Sequence, residues 1–334
     1  MKRAILAITD GGCRLARRLA NALPAATVVP CRGRVRQEIR RCWQEYDALV
    51  CIMATGIVVR TIAPLLADKR QDPAVLVCDE KGGFVIPLVS GHLGGGNGLA
   101  REVAALTGGQ AVLTTASDVL GRTALDLWAR DLGLRVADKK GMTRAMGRLV
   151  NRGWVSVYSD YPLPPLPDDI RPVQDPAGAD LVISCRATLS PAGVVLRPPV
   201  LVAGVGCNRG TAAAAIASAL EEACDAHGLA VASICRLASI DLKQDEEGLL
   251  AFARNAGLPI DFYHRDLLNR VEGVSSSEAV LRATGARGVA EPAALLSSGQ
   301  QQLLARKMKW KDVTVAIAEV VSPWSEPDRA HRTW

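Results

Sequence analysis

Aromatic residues make up only 4% of this 334-residue chain, which removes the stacking platforms on which single-strand nucleic-acid binders rely. There are four histidines, none in an HExxH or other zinc spacing, and the nine cysteines, at 13, 31, 42, 51, 78, 185, 207, 224 and 235, form no CxxC. A GxSxG elbow and a GxxxxGK[ST] phosphate loop are also missing, so serine-hydrolase, NTPase and zinc-enzyme chemistries lose their usual support. Several cysteines lie in apolar runs such as ALVCIM and AVLVCD and read as buried, reduced thiols. The first apolar run, AILAIT, is too short for a secretory segment, which points to a cytoplasmic protein. Residues 82–100 carry no Asp, Glu, Lys or Arg, yet their seven glycines, proline, histidine and asparagine would leave backbone groups unpaired in lipid. Neither a membrane nor a nucleic acid is an expected partner.

What is present is ordinary globular material: 49% hydrophobic and 22% charged residues, enough for two cores at this length. The net charge is +6, and Arg supplies 31 of the 40 basic residues. Residues 1–60 alone hold eleven Lys or Arg against Asp10, Glu38, Glu45 and Asp47, so their +7 covers the whole excess. The run Arg32, Arg34, Arg36, Arg40, Arg41 is either a solvated helix face or a grip for a polyanion, because a guanidinium meets carboxylate or phosphate in a two-point fork.

Along the first half, β-branched runs alternate with amphipathic stretches: AILAIT, a helix over 12–22, ATVV, a helix over 34–45, DALVCIM, a helix over 55–66. AVLVCD and FVIPLV follow as strands, then a helix over 97–107, the strand QAVLTT and a helix over 121–132. The pattern predicts an α/β fold with a mostly parallel sheet. Nine of the 18 prolines fall between 158 and 199, a density that breaks helix and sheet and predicts a connector. Beyond it the alternation restarts with PVLVAGVG, an Ala-rich helix, VASICRLASI and a helix ending at Gly257. The expected architecture is two three-layer α/β/α domains, 1–134 and 199–322, joined by a small middle element and Pro-rich connector over 135–198, with a tail at 323–334.

The most informative local motif is Ser90-Gly91-His92-Leu93-Gly94-Gly95-Gly96-Asn97, between a strand and a helix. Glycines permit close backbone approach, and a helix start offers N–H groups to an anion, so the loop is either a tight structural turn or an anion cradle in which His92 is accessible. Asp79 and Glu80 end the preceding strand; adjacent carboxylates point to opposite sides, so one can face a cleft while the DEKGG turn accounts for the other. Thr114, Thr115 and Asp118 follow another strand end, where Asp118 is either a helix N-cap or part of a polar wall. GVGCNRG at 204–210 places Gly206 and Arg209 in a second cradle, but Arg209 stands where a dinucleotide fingerprint needs its third glycine. Lys243, Glu246, Ser276 and Glu291 occupy loop or helix-start positions that surface pairs and caps also explain.

These residues resemble the cobalt-precorrin 5A hydrolases of anaerobic cobalamin biosynthesis, the CbiG family. The blocks are MATGIVVR (53–60, with Thr55 and Arg60), DPAVLVCDEKGGFVIPLVSGHLGGGN (72–97), TTASD (114–118), GVGCNRG, ASIDLKQDEEGL (238–249) and GVAEPAALL (288–296), together spanning most of 48–318. TTASD carries Ser117 where the family pattern has Thr. The resemblance implies hydrolytic opening of the ring A δ-lactone of a cobalt corrinoid with loss of acetaldehyde, the cobalt arriving in the substrate and no protein cofactor being needed. The C-terminal part is similar to stand-alone CobE-type proteins, which implies corrinoid binding there. His92 or Glu80 is the candidate general base, with loop N–H groups of Gly94 to Gly96 facing an oxyanion. A non-catalytic corrinoid carrier is the alternative, followed by a nucleotide-dependent oxidoreductase. Whether the chain self-associates or touches neighbouring pathway enzymes is left open by sequence.

Overall fold

The computed structural model describes residues 1–68, 71–91, 94–189, 192–320 and 324. The chain divides into two compact units, Met1–Trp128 and Ala129–Trp334. In the first, β1 (Arg3–Ala7), α1 (Asp10–Ala22), β2 (Ala26–Pro30), α2 (Val35–Glu45), β3 (Ala48–Ile52), α3 (Thr55–Ile62), β4 (Ala74–Cys78), β5 (Phe84–Val89), α4 (Gly96–Thr107), β6 (Gln110–Ala111) and α5 (Ala116–Val119) follow one another. The helix α6 (Leu125–Asp131) straddles the boundary. Its sheet has the order β2-β1-β3-β4-β5-β6, parallel through β4, with β5 antiparallel to β4.

Both faces of this sheet are covered, which is why β3 and β4 read as unbroken apolar runs rather than alternating ones. Period-two geometry sends Ala48, Val50 and Ile52 to a core with Leu15 and Leu19 of α1 and Leu99 and Val103 of α4. Leu49 and Cys51 go to the other face, against Ile39 and Trp43 of α2 and Val58 and Ile62 of α3. The expected helix over 55–66 stops at Ile62 and passes into a 3₁₀ turn, Ala63–Leu65, that contains Pro64. The expected helix over 121–132 begins only at Leu125, because Gly121 sits in the left-handed region at φ +61°.

The second unit holds two sheets. The first consists of β7 (Arg135–Val136), β8 (Val155–Ser159), β9 (Ile170–Pro172), β10 (Leu181–Ile183) and β11 (Val194–Arg197), in the order β7-β11-β10-β8-β9, with α7 (Lys139–Arg152) between β7 and β8. Proline density therefore did not break the sheet here. β8 to β11 run parallel, and parallel neighbours need a crossover. Between β8 and β9 the connection holds Pro162, Pro164, Pro165 and Pro167 and no helix, and Pro172 falls on the edge strand, where its missing N–H costs little.

The last sheet, β14-β13-β12-β16-β15, is built from β12 (Leu201–Cys207), β13 (Ile234–Ile240), β14 (Ile260–Tyr263), β15 (Leu303–Lys309) and β16 (Val313–Glu319). The helices α8 (Ala213–Ala226), α9 (Glu247–Ala256), α10 (Arg265–Leu268), α11 (Glu278–Thr284) and α12 (Ala290–Ser298) accompany it. Gly257 closes α9 in the left-handed region, as the sequence indicates, and Ala-rich α8 packs through Ile216, Leu220 and Ala223. α12 lies so close on β12 that a Cβ on Gly204 would stand 1.9 Å from the Ala290 carbonyl oxygen.

Two stability predictions follow from these contacts. Gly204→Ala forces backbone against backbone and is expected to cost at least about 2 kcal/mol in denaturant unfolding; a variant as stable as the parent would show that α12 moves away freely. Asp180, 5% exposed, accepts hydrogen bonds from Ser156 N (2.9 Å), Ser156 Oγ (3.0 Å), Arg148 Nη1 (2.8 Å) and Arg152 Nη2. Burial pushes its carboxyl pKa up, but the Ser156 and arginine hydrogen bonds outweigh that and hold it below the usual range. The folded value lies under the unfolded one, so this stabilisation is complete above about pH 4 and fades as pH falls through that value. Asp180→Asn is expected to lose about 3 kcal/mol at neutral pH, with the gap to the parent closing in melts recorded at progressively lower pH.

Candidate active site

In a parallel sheet a crevice opens where consecutive connections leave in opposite directions. In the N-terminal unit this happens between β1, whose chain turns through α1 to β2, and β3, whose chain turns through α3 to β4. A cavity of about 410 Å³ lies there, at the carboxyl ends of β1, β3 and β4. Ile8 and Thr9 follow β1, Met53, Ala54 and Thr55 follow β3, and Asp79 and Glu80 follow β4; Phe84 and Ile86 of β5 close it. The starts of α1 and α3 both contribute to the walls, and their aligned peptide dipoles favour negative charge there.

The adjacent carboxylates divide their tasks. Asp79 shapes the β4–β5 hairpin, accepting from Lys81 N (2.9 Å) and Phe84 N (2.6 Å). Burial raises its pKa, but amide bonds from Phe84, Lys81 and Gly83 win and keep it low. Glu80 is exposed, and among the described residues no hydrogen bond to its carboxylate is found. Its Oε1 lies over the first turn of α1, where a Cβ on Gly11 would stand 1.8 Å away, so the glycine makes room for the carboxylate. Thr9 caps α1 by accepting from Gly12 N at 3.0 Å. Thr55 opens α3, and Arg60 curls back one turn to donate to Gly56 O at 3.2 Å, bringing its guanidinium to the helix start beside Thr55.

The glycine-rich loop lies elsewhere. β5 runs antiparallel to β4 and carries Ser90 to the opposite end of the sheet from Glu80, about 20 Å away for a six-residue strand. The expected partnership of Glu80 with the amides of Gly94 to Gly96 is therefore not formed within this unit. Nor is the cradle an open set of donors: Gly96 N donates to Ser90 O (3.1 Å) and Asn97 N to Gly91 O (2.8 Å). The glycines serve close packing, since a Cβ on Gly91 would meet Asn97 Oδ1 at 2.6 Å and one on Gly94 would meet Ser90 Cβ at 2.5 Å. Ser90 is held in the left-handed region at φ +56°, its hydroxyl donating to Asp72 O at 2.9 Å, and Gly95 has φ +76°.

Asn97 joins this loop to the next motif, donating through Nδ2 to Thr115 Oγ1 (3.2 Å) and Asp118 Oδ2 (2.7 Å). Asp118 caps no helix, since Thr115 occupies that position for α5; its other oxygen takes Arg101. Thr114 is exposed beside them. Ser90, Gly91, Gly94 to Asn97 and residues 114–118 are thus joined through Asn97. His92 lies outside the described residues.

On the C-terminal sheet, Gly206, Arg209, Lys243 and Glu246 gather at the carboxyl ends of β12 and β13. Glu246, 3% exposed, accepts from Gly210 N (2.8 Å) and Lys243 Nζ (2.9 Å). Burial opposes its ionisation, but the Lys243 and Gly210 hydrogen bonds prevail and depress its pKa. Arg209 pairs at the surface with Asp245 at 3.0 Å. Burial pushes the neighbouring Cys207 thiol up, which suits a packed residue rather than a nucleophile. Glu291, assigned from sequence to substrate contact, is 2% exposed and accepts from Ser275 N and Lys307 N, fixing one loop and the strand β15 to α12; Ser276 is exposed next to it.

Sequence reasoning missed Thr9, Met53 and Phe84 as crevice residues. The visible signal was AILAIT followed by Asp-Gly-Gly, but only the strand order shows that this turn faces those after β3 and β4. Among the described residues no group of three or more His, Cys, Asp or Glu is placed to hold a metal, and no helix is long and apolar enough to cross a membrane.

Three family models match in succession: Cobalamin synthesis G N-terminal over residues 37–118, Cobalamin biosynthesis central region over 123–198 and Cobalamin synthesis G C-terminus over 201–318. The chain is similar to a protein of Priestia megaterium named cobalt-precorrin-5A hydrolase, 34% identical over 351 aligned positions that cover 94% of each chain. A protein of the same name from Salmonella typhimurium strain LT2 is also 34% identical, over 94% of this chain and 96% of its own. Protein CobE of a Sinorhizobium species is 33% identical over 138 positions, 40% of this chain and 85% of its own. With matches that run the length of both partners, the chain belongs to the cobalamin synthesis G (CbiG) family.

Proposed function

We propose that this chain is a cobalt-precorrin-5A hydrolase, opening the ring A δ-lactone of its cobalt corrinoid substrate and releasing acetaldehyde. The observation that carries the reading is the end-to-end similarity to two curated hydrolases of that name, at 34% identity. The crevice supplies a chemically suitable place. Glu80 is the candidate general base: it removes a proton from water as the oxygen adds to the lactone carbonyl, and the acyl–oxygen bond then breaks to give a carboxylate and a free alcohol. Amides at the starts of α1 and α3 favour the oxyanion, while the hydroxyls of Thr9 and Thr55 orient water and carbonyl. Loss of the alcohol proton then forms the aldehyde C=O as the adjacent C–C bond breaks, its electron pair passing into the macrocycle.

Ile8, Met53, Ile86 and the exposed Phe84 offer apolar surface to the ring, and Arg60 offers a guanidinium to a peripheral carboxylate. The cobalt belongs to the substrate, so no resident cofactor enters the scheme. His92 keeps its candidacy from sequence alone and competes with Glu80 for the role of base.

Anaerobic incubation with cobalt-precorrin 5A, following acetaldehyde by coupled alcohol dehydrogenase and the corrinoid by mass spectrometry, is expected to give one acetaldehyde per corrinoid over many turnovers. Binding without acetaldehyde would favour a corrinoid carrier instead. Glu80→Gln is expected to lower kcat by about 10²- to 10⁴-fold with no change in melting temperature, since the side chain is exposed. Full turnover in that variant, together with loss in His92→Ala, would transfer the base to the histidine.

A further inference from the structure

The middle sheet carries a charge arrangement that packing does not explain. β7 and β11 are antiparallel, and their register sets Arg135 directly opposite Arg197. Residues paired this way share a face with Cβ atoms about 5 Å apart, where like charges destabilise the pair. Among the described residues neither guanidinium has a carboxylate partner. Arg135 Nη1 donates to Ala232 O (3.2 Å), and Arg197 Nη1 donates to both Ser184 O (3.0 Å) and Arg186 O (2.7 Å).

A third arginine joins them. Arg186 is exposed and unpaired among the described residues, and its segment runs beside 229–232 through a bridge to Leu229 and a bond from Ala230 N to Cys185 O (2.7 Å). The acids felt by Cys185 in this segment, Glu319 and Asp160, are engaged with hydroxyls: Glu319 accepts from Tyr161 (2.6 Å), and Asp160 accepts from Ser184 and from Tyr158 (2.9 Å). Burial draws the Arg197 pKa below its usual value, with the Cys185 thiol opposing it.

We propose that Arg135, Arg186 and Arg197 form a subsite for a polycarboxylate. The two carbonyl bonds use both N–H groups of Arg197 Nη1 and lock the guanidinium plane, leaving Nη2 and Nε as a fork of the geometry that grips a carboxylate at two points. The backbone fixes two of the three arginines and the third is free to close on the ligand, so a molecule bearing several carboxylates is bound better than a simple anion. The inference rests on the hydrolase reading only in naming the occupant, the acetate and propionate arms of the corrinoid; the binding itself stands apart from it.

Calorimetric titration of the full chain with benzenehexacarboxylate tests it. The parent is expected to bind in one saturable phase, and Arg186→Gln and Arg197→Gln each to weaken that phase about tenfold or more, whereas the double variant Arg36→Gln/Arg40→Gln on α2 leaves it unchanged. Arg186→Gln touches no internal hydrogen bond of its side chain and is expected to melt as the parent does, so the test survives if Arg197→Gln folds poorly. No saturable binding, parental affinity in Arg186→Gln, or an equal loss in the α2 variant would overturn the proposal. In turnover, Arg186→Gln is expected to raise KM about tenfold at unchanged kcat. Absence of acetaldehyde from the parent would sink the hydrolase reading and leave the calorimetric result standing.

Discussion

The divergence of the chain after β1 and β3 is the constraint on which the N-terminal unit depends. Two parallel strands lie side by side, their connections leave in opposite directions, and a crevice opens between the two helix starts. The same event supplies the chemistry of that gap: two helix starts, the residues just past three strand ends, and a carboxylate at the mouth. The carboxylate of Glu80 lies over Gly11, in the space a side chain there would share with it.

Carboxylates elsewhere in the motifs are consumed by structure. Asp79 and Glu291 accept backbone amides, Glu246 accepts an amide and a lysine, and Asp118 takes an asparagine and an arginine. Each is held low in its charged form or tied in a pair, which fixes loops and leaves little capacity to accept a proton. Glu80 has no hydrogen bond to its carboxylate among the described residues, which follows from its place in the hairpin: Asp79 turns inward to the loop amides, and its neighbour faces the other way.

Much of the fold was legible. Unbroken apolar runs marked the buried parallel strands, glycines marked helix ends, and the alternation of elements marked the α/β class. The Pro-rich stretch misled because proline density normally signals a break, whereas here most of the prolines lie in the connections and leave the short parallel strands intact. The site was legible only in parts. Glu80 and Thr55 stand in recognisable blocks and meet in the crevice, with Arg60 one turn further along α3, but the glycine loop stands out equally in sequence and belongs to the opposite end. A local pattern reports that glycine is needed; it does not say whether a ligand or the protein's own Asn97 occupies the space. The engagement of Glu291 was hidden for the same reason, because its partners Ser275 and Lys307 are each 16 residues away.

The central claim is that chemistry takes place in the crevice at the ends of β1, β3 and β4. Ala54 is exposed on its wall, so Ala54→Trp fills the space without disturbing the core. The account predicts a protein of unchanged melting temperature whose acetaldehyde release from cobalt-precorrin 5A falls by at least about 10²-fold. Parental turnover with the crevice plugged would contradict it and move the reaction to another part of the molecule.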